Sequence, residues 1–197
     1  QRNFIKEALN SANSEDIILV SDVDEIPNLE NINFKKKNSK IILFKQDMFY
    51  YKFNLKLPNL VWTGTKACKK KDFESAQWLR NIKDRKFPFY RIDTYFSKKK
   101  YINCEFINNG GWHFTNIKTA KQIKLKLESY LHHIEFDKNP LSTNEINKIM
   151  QDKVAIYDLS VDQRENKVRG SKLENYPLNK LPKYLQTNSK KYREWID

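Results

Sequence analysis

Cysteine is scarce in this chain: only Cys68 and Cys104 occur in 197 residues. Two cysteines are too few for a disulfide-stapled scaffold, and the expectation is a pair of buried free thiols. No run of about 18 consecutive apolar residues occurs, so the sequence offers no membrane-spanning helix. The first residues carry no secretory-signal pattern. The chain opens on Gln1, directly in a helix-like segment, which gives the expectation of an N-terminally incomplete fragment. Internal repeats and linker-like stretches are also missing, so residues 1–197 read as a single domain. Acid is in deficit, with 24 Asp and Glu against 37 Lys and Arg and a formal net charge of +13. Such a balance attracts nucleic acid, anionic membrane surfaces or phosphorylated substrates, or simply solvates the surface. With 39% hydrophobic and 13% aromatic residues, the composition excludes a disordered chain.

Hydrophobic periodicity divides the chain into alternating strands and helices. The spacing predicts a short helix over 3–12 and then a continuous apolar run, Ile17-Ile18-Leu19-Val20, suited to a strand covered on both faces. Further strands are expected over 40–51, 59–68 (with Gly64 as a bend) and 101–107. A helix is expected over 72–81. Asn108-Asn109-Gly110-Gly111 is a turn signal, followed at once by Trp112-His113-Phe114. The strongest helical pattern covers 117–135, with Ile123, Leu127, Tyr130, Leu131 and Ile134 on one face. Ser142 and Glu145 have the spacing of a capping box before a helix over 142–152. A last helix is expected near 183–195. Strands alternating with helices argue an α/β fold.

The chemistry concentrates where the first buried run ends, at Ser21-Asp22-Val23-Asp24-Glu25-Ile26-Pro27. Carboxylates one residue apart, at the carboxyl end of a strand, can share one hard divalent cation whose remaining positions take substrate phosphates. Mg²⁺ and Mn²⁺ suit such oxygen ligands, and in that position a metal stabilises charge on a leaving diphosphate. An Asp-x-Asp is also an ordinary turn. A haloacid-dehalogenase-type phosphatase opens in the same way, with the first Asp as nucleophile, but no acidic pair follows downstream. A third class, a basic nucleic-acid binder, would stack bases on aromatics such as Phe49-Tyr50-Tyr51-Lys52-Phe53. It has no use for carboxylates at a strand end.

Together the stretches Gln1-Arg2-Asn3, Asp16 to Pro27, Gly110-Gly111-Trp112-His113-Phe114 and Leu181-Pro182-Lys183-Tyr184-Leu185 resemble glycosyltransferase family 17, in the same order and over nearly the whole chain. The resemblance implies a GT-A-like (Rossmann-like) catalytic domain, here lacking its N-terminal strands. It also implies UDP-N-acetylglucosamine as donor, Mn²⁺ or Mg²⁺ as cofactor, and inverting transfer to a glycan or glycolipid acceptor. By this analogy Asp24 contacts the metal, and Asp22 binds the ribose or the metal through water. Glu25 touches the donor sugar or caps the next turn. His113 ligates the metal or bonds the sugar, unless it is a buried histidine satisfied by backbone. Trp112 stacks on a sugar or belongs to the core. Lys126, with Lys124, offsets diphosphate charge, and Arg2 reaches the nucleotide. Inversion needs one general base, for which Glu135 is favoured over Glu128 and Asp137. The sequence departs from the mammalian members at Phe114-Thr115-Asn116, so their acceptor is not carried over. No nucleic-acid partner is expected. The expected location is cytoplasmic with contact at a membrane surface, or the Golgi lumen if an earlier segment supplies an anchor.

Overall fold

The computed structural model describes residue 7 and residues 9–30, 32–129, 136, 140–156 and 169–197. The fold is mixed α and β, and its contacts group into two units, residues 1–46 with 61–113 and residues 47–60 with 114–197.

The first unit contains β1 (Ile17–Val20), β2 (Glu25–Pro27), the beginning of β3 (Ile41–Tyr50) and the end of β4 (Leu55–Lys69). It also contains α1 (Ala76–Asn81), β5 (Cys104–Ile107) and the beginning of β6 (Gly111–Thr115). The strand order is β1-β4-β3-β6-β2, with β5 also paired to β3. β1 runs antiparallel to β4, Ile18 opposite Cys68 and Val20 opposite Lys66. β5 runs parallel to β3, from Ile41 opposite Cys104 to Phe44 opposite Ile107. The apolar run of β1 is covered on both faces, as its composition requires. Ile18 and Val20 join a cluster with Leu43, Trp78 and Leu79, while Ile17 and Leu19 pack against Ile42, Phe44 and Ala67.

Two details differ from the sequence expectation. The strand expected over 59–68 is part of one longer strand, which runs on through Gly64. A Cβ at Gly64 would lie 1.9 Å from Gln46 Oε1 and 2.8 Å from Glu25 Cδ, so glycine is needed for close approach. The helix expected from residue 72 begins at Ala76, because the Ser75 hydroxyl accepts from the Trp78 N–H at 3.1 Å and sets the N-cap there. Trp112-His113-Phe114, which follows the turn signal directly, lies in a strand. Both cysteines are free thiols, Cys68 buried and Cys104 partly exposed.

The second unit holds α2 (Ala120–Ser129), α3 (Thr143–Gln151), β7 (Val154–Ile156), β8 (Arg169–Lys172), β9 (Glu174–Asn175) and α4 (Lys183–Thr187). The Ser142–Glu145 capping box opens α3 as expected. Tyr51 is a buried pin: its hydroxyl donates to Val154 O at 2.8 Å and accepts from Ile156 N at 2.7 Å. Phe49, Tyr50 and Tyr51 are all buried. These rings serve packing, Phe49 against Phe114 and Tyr176, and offer no face to a nucleic-acid base. The single helix expected over 183–195 stops at Thr187 and resumes as a 3₁₀ turn at Arg193–Trp195. Thr187 and Asn188 turn their side chains onto the carbonyls of Lys183 and Tyr184, competing with helix continuation. No helix among the described residues is long and apolar enough to cross a membrane.

Candidate functional site

The acidic turn links β1 to β2 and is closed by two reciprocal bonds. Glu25 N–H donates to Asp22 O at 3.1 Å, and Asp22 N–H donates to Glu25 Oε2 at 2.9 Å. Ser21 is fixed at the strand end by a 2.6 Å hydroxyl contact with Thr65. Between the two aspartates Val23 projects fully into solvent. The turn therefore presents Asp22 and Asp24 at the surface, with side chains 41% and 37% exposed, while Glu25 points inward with 1% exposed.

Pairing of β2 with β6 brings the second motif to the first. The strands are antiparallel, Glu25 opposite His113, Ile26 opposite Trp112 and Pro27 opposite Gly111. Gly111 makes this approach possible: its φ is +134°, and a Cβ there would lie 2.1 Å from Ile26 O. His113 is buried, and its Nε2 lies 3.3 Å from Asp24 Oδ2. With the proton on Nε2 the ring donates to Asp24. Nδ1 then remains a buried acceptor without a partner among the described residues. The aromatic ring at the site is Trp62, whose centroid lies 5.3 Å from that of His113. Trp112 stands next to it in the strand, opposite Ile26.

Arg80, from the last turn of α1, is the cation of the site. Its Nη1 donates to Glu25 Oε1 at 3.2 Å, Oε2 at 3.0 Å and Gly64 O at 3.1 Å. Its Nη2 pairs with the Asp22 carboxylate. Trp62 Nε1 adds a 2.9 Å bond to Glu25 Oε1, so every face of the buried carboxylate is met by a donor, as a buried charge requires. This geometry favours the turn-capping role of Glu25 over contact with a sugar. The end of α1 is in turn held by Lys66, whose Nζ donates to Arg80 O at 2.7 Å and Ile82 O at 2.5 Å. Burial pushes the Lys66 ammonium down to about 8, with the Arg80 charge acting in the same direction.

The structure thus gathers Asp22, Asp24, Glu25 and His113 within the first unit. Asp24 meets His113, whereas Asp22 meets Arg80. Among the described residues no group of three or more His, Cys, Asp and Glu is placed to hold a metal. Lys126 belongs to the second unit, on α2, where it donates to Asn116 Oδ1 at 2.7 Å. Arg2, Glu135 and Asp137 lie outside the described residues. Arg80, Trp62 and Lys66 were not singled out from the sequence. Arg80 and Lys66 are two of 37 basic residues, and no spacing relates them or Trp62 to the acidic turn. The demand for a cation arises only once Glu25 is seen to be buried beside two aspartates.

Compared with protein-family models, with curated proteins and with solved structures, the chain matches none.

Proposed function

We propose that this chain is a metal-dependent, inverting glycosyltransferase of the family 17 type, with a GT-A-like fold, transferring N-acetylglucosamine from UDP-N-acetylglucosamine to a glycan acceptor in β linkage. The supporting observation is the β2–β6 pairing, which sets the Gly-Trp-His strand against the Asp-x-Asp turn and leaves His113 Nε2 3.3 Å from Asp24 Oδ2. An oxygen and a nitrogen donor so close suit a first-row divalent cation such as Mn²⁺. Asp24 and His113 are the residues that would hold it, while Asp22 is paired with Arg80. A cation held there would supply positive charge to offset that developing on a diphosphate leaving group. The chain's own part is positional. Glu25 and Arg80 lock the turn, Gly111 admits β6, and Arg80 sets a fixed positive charge beside Asp22. Glu135 is the general base of this reading.

The phosphatase alternative is less well supported. Its nucleophile would be Asp22, which is ion-paired to Arg80.

The test is binding and hydrolysis of UDP-, GDP- and CMP-sugars with and without Mn²⁺, repeated on Asp24→Ala and His113→Ala. The expected result is Mn²⁺-dependent binding of UDP-N-acetylglucosamine that falls at least about tenfold in both variants, as loss of a ligand to the metal or of its partner does. Binding that ignores Mn²⁺, or is unchanged in Asp24→Ala, overturns the reading.

A further inference from the structure

Burial of apolar surface is the main driving force of folding, so a closed loop that turns its apolar side chains outward calls for an explanation. Residues 83–99 form such a loop. Its ends are tied by Lys83 N–H donating to Lys99 O at 2.7 Å. Inside, Arg91, Thr94, Tyr95 and Ser97 donate backbone N–H groups to Pro88, Arg91, Ile92 and Thr94, and the Thr94 hydroxyl bonds Arg91 O at 2.6 Å. Phe87 and Thr94 are buried and anchor the loop to its unit. The segment is therefore a shaped element of the Ω-loop kind.

What this element presents is apolar. Phe89 is 78% exposed, Phe96 85%, Ile92 72%, and Tyr90 and Tyr95 about as much. Single exposed hydrophobes need no explanation, but a cluster on one loop marks an interaction surface. The same stretch, extended to residue 100, holds seven basic side chains from Lys83 to Lys100 against Asp84 and Asp93, a net +5 by subtraction. Asp93 is occupied within the loop by Arg91 and Lys100, and Asp84 faces Lys45 at 3.7 Å.

We propose that the loop over residues 83–100 docks the protein on an anionic lipid surface, with Phe89, Ile92 and Phe96 entering the interfacial zone and the lysines meeting lipid phosphates. Tyrosines sit well at that boundary, ring in the apolar side and hydroxyl in the wet side. Apolar insertion and basic charge are the two signals that reversible membrane attachment needs together. Single-stranded nucleic acid fits less well. Phe89 and Tyr90 meet edge to face, with 77° between their planes, so they form no stacking platform for successive bases. Ile92 has no π face to offer. The proposal does not rest on the transferase reading, because docking requires neither donor nor acceptor.

The experiment is co-sedimentation of the whole chain with phosphatidylcholine vesicles, with and without phosphatidylglycerol, across a salt series. The variants are Phe89→Ser/Phe96→Ser and Lys98→Glu/Lys99→Glu, with thermal unfolding as a folding control. Binding is expected only to the anionic vesicles and to weaken with salt. It should drop roughly fivefold or more for each lysine reversed and at least about tenfold in the aromatic double variant. Phe96→Trp supplies a second reading, a blue-shifted difference emission when anionic vesicles are added. No binding, equal binding to neutral vesicles, or unchanged binding in both double variants overturns the proposal. Single-stranded RNA bound more tightly than vesicles through the same residues also overturns it, as does a dimer seen by light scattering that the aromatic variant abolishes.

Discussion

Arg80 Nη1 lies 3.2 Å and 3.0 Å from the two carboxylate oxygens of Glu25, a side chain with 1% of its surface exposed. The acidic turn is therefore held from beneath by a buried ion pair, and its two surface aspartates depend on a residue of α1 for their placement.

Removing that support should be costly. Arg80→Met leaves Glu25 charged and buried, with Trp62 and the Asp22 N–H as its remaining donors among the described residues. The expected destabilisation is about 3–5 kcal/mol, read from urea unfolding. Arg80→Met combined with Glu25→Gln should recover part of it, because the uncompensated charge is gone. Arg80→Lys should rescue poorly, since a point charge cannot span Glu25, Asp22 and Gly64 O at once. An unfolding midpoint unchanged in Arg80→Met would show that the pair contributes nothing.

Gly111 makes a separate prediction. At φ +134° a side chain is strained, and its Cβ would run into Ile26 O. Gly111→Ala should cost at least about 2 kcal/mol and, if the chain folds, disturb the Asp24–His113 pair. The check is thermal unfolding together with the histidine ring signals in NMR spectra. A variant as stable as the parent, with an unmoved His113 signal, contradicts the role given to this glycine.

Lys66 gives the protein a pH-dependent component with a defined sign. Its folded value of about 8 lies below the ordinary 10.5, with burial as the first cause. Between these values the unfolded chain binds more protons than the folded one. The Lys66 contribution therefore rises with pH from about 8 to 10.5. Cys68 and Cys104 work the other way above pH 9, because burial raises them to about 12 and about 11. Comparing the parent with Lys66→Met isolates the lysine. The stability of the parent relative to the variant should increase as pH goes from 7 to 10 in urea titrations. A difference that is flat over that range refutes the burial effect.

Tyr51→Phe tests the pin of the second unit. It leaves Ile156 N–H and Val154 C=O without the hydroxyl that meets both. The expected loss is about 1–3 kcal/mol in thermal or chemical unfolding. A neutral substitution would mean that water replaces the hydroxyl.

Much of the frame was legible along the chain. Ile17–Val20 announces a strand by its unbroken apolar run, and Ser142 with Glu145 announces the start of a helix by a local hydrogen-bond pattern. Both signals act over a few residues, so neighbours in sequence suffice to read them. Gly64 is visible in the sequence as an unusual residue in a strand, but its need for close approach is not, because the atoms it makes room for, on Gln46 and Glu25, come from other strands. The end of α4 was missed because Thr187 and Asn188 act against the helix by side-chain bonds that apolar periodicity does not record.

The sequence by itself determined the acidic turn, the Gly-Gly-Trp-His stretch and the basic, aromatic-rich composition, since residue type and local order are enough to state them. Only the tertiary structure decided that the two motifs meet through β2 and β6, that Asp24 faces His113 while Arg80 takes Asp22 and Glu25, and that Phe89 and Phe96 turn outward while Phe49 and Tyr51 turn inward. Each of those outcomes depends on strand register and on which cation reaches a buried carboxylate. These are set by burial and charge neutralisation between residues far apart in the chain.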